Sequence, residues 1–166
     1  MDYASQLKDK FQRKSARVAV LGMGYVGLPF ATVFASAGFN VTGIDPIQEK
    51  MEMLNRGESY ILDVPSEQVK KLHMEGKLRG TSDYSVLKDI DAVAICVPTP
   101  LRHTGDPDLS FIISAAEGIA PYVHPGMVVV LESSTYPGTT RELVLPTLTE
   151  KSGLKSRFFV PKYLCI

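Results

Sequence analysis

An apolar run, Arg17-Val18-Ala19-Val20-Leu21, passes directly into Gly22-Met23-Gly24-Tyr25-Val26-Gly27, and small and apolar residues then continue to Ser36. A strand, a glycine turn and a helix in that order open a β-α-β unit. Each glycine has its own reason. Gly22 permits the tight turn, Gly24 lets the backbone approach a ligand with no Cβ in the way, and Gly27 lets the helix pack closely on the strand. The N–H groups freed at the helix start face an anion such as a pyrophosphate, and the helix dipole adds about 0.3–1 kcal/mol. The motif alone also allows a glycine-rich turn that holds no ligand.

The rest of the chain repeats the alternation. Strands are predicted at 17–21, 40–44, 77–82, 91–97, 127–131 and 157–160, and helices at 25–36, 46–55, 66–74, 109–122 and 137–151, with Pro46 suited to a first helical turn. Residues 56–65 read as a loop, and 5–14 as a short amphipathic lead-in helix or a frayed terminus. The run Ala92-Val93-Ala94-Ile95-Cys96-Val97 is continuously apolar, as a strand covered on both faces requires. Strands alternating with helices of roughly 10–15 residues call for parallel pairing through right-handed crossovers. The predicted architecture is a single-domain, doubly wound α/β parallel sheet over residues 16–160, preceded by an extension at 1–15.

Asp45 ends the second strand roughly 20 residues after the glycines, where the adenosine ribose of a dinucleotide lies. A carboxylate there accepts hydrogen bonds from ribose hydroxyls and repels a 2′-phosphate. Two charges about 4 Å apart near a protein surface interact by up to ~4 kcal/mol, so NAD is favoured over NADP. The same position suits a helix cap, and the two roles are compatible. Two further stretches, Val97-Pro98-Thr99-Pro100 and 132–140, follow later strands, at the edge where open α/β sheets bind ligands. Their prolines and hydroxyls suit the nicotinamide side of a dinucleotide, and equally suit turns and caps.

Other classes find little support. Eighteen basic residues balance eighteen acidic ones with no Lys/Arg run, so nucleic acid is not an expected partner. No stretch of about 18 apolar residues suggests a membrane span, and a cytoplasmic location is expected. Cys96 reads as a buried apolar residue, and with Cys165 it forms no metal-ligand spacing. His73, His103 and His124 read as scattered surface residues, and Lys70, Lys71 and Lys77 as a solvated face.

Taken together, the motifs resemble those of the UDP-glucose/GDP-mannose dehydrogenase family. Gly22 to Pro29 is similar to that family's Gly-x-Gly-Tyr-Val-Gly-Leu-Pro fingerprint. Gly57-Glu58-Ser59-Tyr60-Ile61, Val97-Pro98-Thr99-Pro100-Leu101, Pro107-Asp108-Leu109-Ser110 and residues 131–140 resemble the branch acting on UDP-N-acetylglucosamine or UDP-N-acetylmannosamine. The resemblance implies a Rossmann-type fold with NAD as cofactor. It implies that Gly22, Met23, Gly24, Tyr25, Val26 and Gly27 hold the pyrophosphate and that Asp45 and Lys50 serve the adenosine end. It also implies that Val97, Pro98 and Thr99 line the ribose and nicotinamide side and that Ser134 and Thr135 flank the reacting centre, with Thr135 helping to hold a catalytic water. A full enzyme of this kind, expected to be a homo-oligomer, oxidises the 6-hydroxymethyl group of a UDP-sugar to a carboxylate. It does so in two hydride transfers through a cysteine-bound thiohemiacetal and thioester.

The resemblance stops at the end. Pro161-Lys162-Tyr163-Leu164-Cys165-Ile166 does not match the family's Ser-Pro-Glu-Arg continuation, and its catalytic cysteine, lysine, asparagine and glutamate have no counterparts. Cys165 does not replace the nucleophile by spacing. The chain therefore reads as a truncated or frameshifted product or a partial gene, inactive alone, with 161–166 an unmatched tail and with apolar patches left exposed. The rival reading is a stand-alone, non-catalytic dinucleotide-binding or sensing module. A hydroxyacid or 6-phosphogluconate type of dehydrogenase fits less well, because the Tyr-Pro-Gly-Thr-Thr and Val-Pro-Thr-Pro segments are not expected there.

Overall fold

The computed structural model describes residues 2–103 and 105–153. The expected strand at 157–160, the tail 161–166 and Cys165 lie outside the described residues. Within them, β1 (Arg17–Leu21), β2 (Asn40–Ile44), β3 (Leu78–Thr81), β4 (Ala92–Ile95) and β5 (Val128–Leu131) form one parallel sheet in the order β3-β2-β1-β4-β5. This is the doubly wound, Rossmann-type order, with the chain reversing direction across the sheet between β1 and β4.

Alternation along the strands divides the core. Val18, Val20, Val41 and Ala94 face one side, where they meet Leu28, Ala31 and Ala35 of α2 (Gly27–Ser36), Met51 and Leu54 of α3 (Gln48–Asn55), and Val69 and Leu72 of α4 (Ser66–Met74). Ala19, Leu21, Val93 and Ile95 face the other, against Ile112, Ala115 and Ile119 of α5 (Ser110–Ile119) and Leu148 of α6 (Leu145–Ser152). Strands buried on both faces account for the unbroken apolar runs of the sequence.

Several element boundaries differ from expectation: β3, β4 and β5 are shorter than the expected 77–82, 91–97 and 127–131, and some helices start or divide differently. The third helix begins at Gln48 rather than Pro46, because Asp45 Oδ1 accepts the Ile47 N–H at 3.0 Å and closes an Asx turn that competes with helix. Asp45 is thus not the helix cap; Ile47 occupies that position. The second helix begins at Gly27 rather than residue 25, since the glycine turn occupies the preceding positions. The single helix expected at 109–122 breaks into α5 and a 3-10 turn (Ala120–Tyr122) at Pro121, which has no N–H to donate. Likewise the helix expected at 137–151 divides into a π turn (Thr140–Val144) and α6, with Pro146 at the junction. A 3-10 turn (Tyr84–Asp89), capped by Asp83 accepting the Ser85 N–H at 2.8 Å, is additional to the expected elements.

The lead-in segment is a docked helix, α1 (Tyr3–Gln12), rather than a frayed end. Asp2 caps it by accepting the Ser5 N–H at 3.3 Å. Lys10 Nζ stands 2.5 Å from Asp91 Oδ1, and the ring of Phe11 meets that of Phe39 at 5.5 Å between centroids. Asp91 Oδ2 also accepts the Arg17 N–H at 2.8 Å, so one carboxylate joins α1 to the start of β1. Asp91→Ala is expected to lower unfolding free energy by about 1–3 kcal/mol, because a part-buried N–H loses its acceptor. Lys10→Met, which breaks only the half-exposed ion pair, is expected to change it by less than about 1 kcal/mol. Urea unfolding of both variants checks the contrast.

Candidate functional site

The strands end in register at one edge: Leu21 pairs with Ile44 and Ile95, and Ile95 pairs with Leu131. The turn at 22–27, Asp45, the loop from 96 and the loop from 132 therefore leave the same edge side by side, about 4.8 Å apart per strand.

In the turn, Gly22 has φ +84° and donates its N–H to Ile44 O at 2.9 Å. A Cβ on Gly22 would lie 2.9 Å from Cys96 O, and one on Gly27 would lie 1.8 Å from Gly22 O. Space around a Cβ at Gly24 is open, with nothing within 4 Å. Two glycines are thus required by the fold, and the third keeps a surface clear. Tyr25 and Val26 are exposed at the mouth, and no side chain caps the first turn of α2. Met23 differs, since its side chain is fully buried over Gly43 and its N–H is donated to Asp45 Oδ2 at 2.9 Å.

Asp45 is 5% exposed and holds the turn to the end of β2. Beyond its bonds to Met23 and Ile47, its Oδ2 lies 3.6 Å from Lys50 Nζ, which in turn stands 5.8 Å from the centroid of the Tyr60 ring. Burial, and then the negative charge of Asp45, pushes the Tyr60 phenol well above its ordinary range; the same two causes raise Tyr84. Sequence reasoning noted Tyr60 only as part of a motif and assigned Tyr84 no part.

On the other side, Val97 and Thr99 are half-buried and Pro98 is exposed. Ser133, which was not among the candidate residues, ties their loop to the next: its Oγ donates to Val97 O at 2.6 Å. Ser134 is exposed, whereas Thr135 Oγ1 pairs with Thr139 Oγ1 at 2.9 Å. Tyr136 Oη donates to Asp106 Oδ1 at 3.3 Å and so links this loop to 101–108, where Leu101 and Pro107 form an antiparallel bridge. Cys96 is buried behind the turn, and burial followed by the charge of Glu132 pushes its thiol up to about 12, leaving it protonated and unreactive at neutral pH.

The histidines do not converge. His73 and His124 are half-buried rather than surface residues: His73 Nδ1 lies 3.2 Å from Leu78 O, and His124 Nε2 lies 3.0 Å from Ile90 O. Lys77 is likewise not simply solvated, since its Nζ donates to Gly38 O at 3.0 Å and Asn40 Oδ1 at 3.2 Å. Among the described residues no three His, Cys, Asp or Glu side chains group as metal ligands, and no helix is long and apolar enough to cross a membrane.

Tyr60 Oη, alone among the buried side-chain nitrogens and oxygens described, has no hydrogen-bond partner. Tyr60→Phe is therefore expected to leave the melting temperature unchanged or to raise it, with a gain of up to about 1–3 kcal/mol. A clear drop in a thermal melt would show that this oxygen has a bound partner such as water.

Comparison with known proteins agrees with this arrangement. UDP-N-acetyl-D-mannosamine dehydrogenase of Salmonella typhimurium is 37% identical over 126 residues, covering 76% of this chain and 30% of that protein. NDP-N-acetyl-D-galactosaminuronic acid dehydrogenase of Ralstonia nicotianae is 39% identical over 127 residues, 76% of this chain and 29% of its own. The crystal structure of NDP-N-acetyl-D-galactosaminuronic acid dehydrogenase from Methanosarcina mazei Go1 superposes with a TM-score of 0.80 at 37% identity, over 91% of this chain and 34% of that one. The chain thus spans about a third of the length of these relatives. The model of the NAD binding domain of the UDP-glucose/GDP-mannose dehydrogenase family matches residues 16–162, and the chain belongs to that family through this domain.

Proposed function

We propose that this chain supplies the NAD site of a nucleotide-sugar 6-dehydrogenase that oxidises the 6-hydroxymethyl group of a UDP-N-acetylhexosamine to a uronate. The observation that carries the reading is the pairing of an unobstructed glycine, Gly24, with a carboxylate, Asp45, bonded to the adjacent Met23 N–H at 2.9 Å. The residues present fit the cofactor: an uncapped helix start for the pyrophosphate, and an acid for the ribose beside it.

In this reading the backbone of 22–27 binds the pyrophosphate, with Tyr25 and Val26 at the rim and Met23 anchoring the turn from beneath. Asp45 accepts the adenosine ribose hydroxyls, and Lys50 holds Asp45 in place. Val97, Pro98 and Thr99 border the nicotinamide ribose, and Ser134 and Thr135 stand toward the substrate. Bound NAD supplies the hydride acceptor. The names of the relatives support an N-acetylated sugar nucleotide as substrate. Titration with UDP-N-acetylglucosamine and an assay for NADH formation, run on this chain, separate a complete catalyst from a cofactor domain.

Gly24→Ala and Gly27→Ala make opposite demands. Gly24→Ala is expected to keep the fold and weaken NAD binding about tenfold or more, because the new Cβ stands where the ligand approaches. Gly27→Ala is expected to destabilise the fold itself, since its Cβ would meet Gly22 O at 1.8 Å. Calorimetric titration with NAD beside a thermal melt distinguishes them, and unchanged affinity in a folded Gly24→Ala protein removes the pyrophosphate assignment.

Asp45→Asn is expected to weaken NAD and relax the rejection of NADP. It is also expected to lower stability by about 1–3 kcal/mol, because an amide offers one acceptor where two N–H groups need one each. Equal affinity of wild type and variant for both cofactors would place the ribose elsewhere.

A further inference from the structure

The sheet carries a second polar concavity at its opposite end. Arg17, the first residue of β1, pairs in register with Asn40, the first of β2, and Arg79 of β3 pairs with Thr42. Alternation puts Arg17, Asn40, Thr42 and Arg79 on one face, the face that α5 and α6 cover farther along the sheet. At the amino end of β1, β2 and β3 a cleft of about 440 Å³ opens on that face, lined also by Asp89 and Ile90 from the 3-10 turn region.

The charges in this cleft are not balanced against each other. Arg79 Nε donates to Thr42 Oγ1 at 3.1 Å, which fixes the guanidinium plane through a threonine that is itself 4% exposed. Among the described residues neither Arg17 nor Arg79 has a carboxylate within 4.0 Å, Asp89 included. Lys77 adds a third cation at the margin through its bond to Asn40 Oδ1 at 3.2 Å. In a chain of zero formal net charge, this places two guanidinium groups without a carboxylate partner among the described residues around one cavity, where Asp89 is the single acid among the described lining residues.

We propose that this cleft is a second ligand site, which takes a phosphate ester of a hydroxyl-bearing compound, such as a sugar phosphate. Guanidinium forks match phosphate oxygens and bind them with charge-assisted hydrogen bonds. Asp89 and the Asn40 side chain accept hydroxyl protons, which sets the ester apart from a bare anion. The volume falls within the roughly 300–1,000 Å³ of small-molecule sites. Arg17 and the glycine turn, which begins at Gly22, sit at opposite ends of β1, about 16 Å apart at the strand rise per residue, so the two sites are distinct.

The test uses the full 166-residue chain, saturated with NAD, titrated with ribose 5-phosphate, inorganic phosphate and ribose at low salt. Ribose 5-phosphate is expected to bind, ribose not, and phosphate about tenfold more weakly than the ester. Arg17→Gln and Arg79→Gln are each expected to weaken the ester about tenfold while the NAD dissociation constant moves less than about twofold. Both side chains are exposed, and a thermal melt shows that the variants fold. The proposal is overturned if the ester does not bind, if it competes with NAD, or if both variants bind it as the wild type does. Phosphate binding as tightly as the ester overturns the class of ligand. If NAD itself fails to bind, the titration on the free chain still reads this cleft through the same two variants.

Discussion

A Cβ on Gly27 would stand 1.8 Å from the carbonyl oxygen of Gly22, so the first turn of α2 lies against the preceding turn more closely than a residue with a side chain permits. That approach sets the direction of the helix start relative to the sheet. The same turn is backed by Cys96, just after β4, whose O would meet a Cβ on Gly22 at 2.9 Å. Gly22 N also continues the β1 ladder to Ile44 O at 2.9 Å. The turn is therefore held from the two neighbouring strands, and its outward amides are fixed before a ligand arrives. Preorganisation of this kind lowers the ordering cost of binding.

Asp45 extends this constraint to the next strand. A buried carboxylate is tolerated where donors surround it, and the N–H groups of Met23 and Ile47 with the ammonium of Lys50 supply them. An ionised carboxylate has about four acceptor positions. The backbone bonds take one on each oxygen, so acceptor capacity remains for hydroxyl donors from a sugar. One side chain thus closes the turn, starts the approach to α3 and keeps part of its bonding capacity in reserve. The structural bonds of Asp45 are thus compatible with the binding role proposed for it.

The fold was legible because its signals are local and strong. Uniformly apolar runs such as Ala92–Ile95 are strands when the sheet is covered on both sides, and Ser66–Met74 was readable to the residue from its helical spacing. Boundaries were lost where a side chain competes with the backbone, as Asp45 does ahead of α3, or where an internal proline divides a pattern of helical period, as Pro121 and Pro146 do. At the candidate site, the glycines and Asp45 were visible from spacing alone. Ser133 was not, because its role is a bond to Val97 O, 36 positions away in sequence. The docking of α1 was hidden for the same reason: the Lys10–Asp91 pair spans 81 positions, and neither residue lies in a motif.

Parallel strands in register also separate two kinds of chemistry. At the carboxyl edge the groups proposed to meet the ligand are backbone amides of the turn, kept clear by the absence of a side chain at 24. At the amino edge the polar groups are side chains: Asp91 joins α1 to β1, and Arg17 and Arg79 line the cleft. Backbone amides carry no net charge, so an anion at the first edge is met by dipoles held in fixed directions. Guanidinium groups at the second edge attract by net charge, an interaction that salt screens over a Debye length of about 8 Å at physiological ionic strength. Ligands at the two edges therefore differ in how steeply their affinity falls with salt, a difference that follows from the direction in which every strand of this sheet runs.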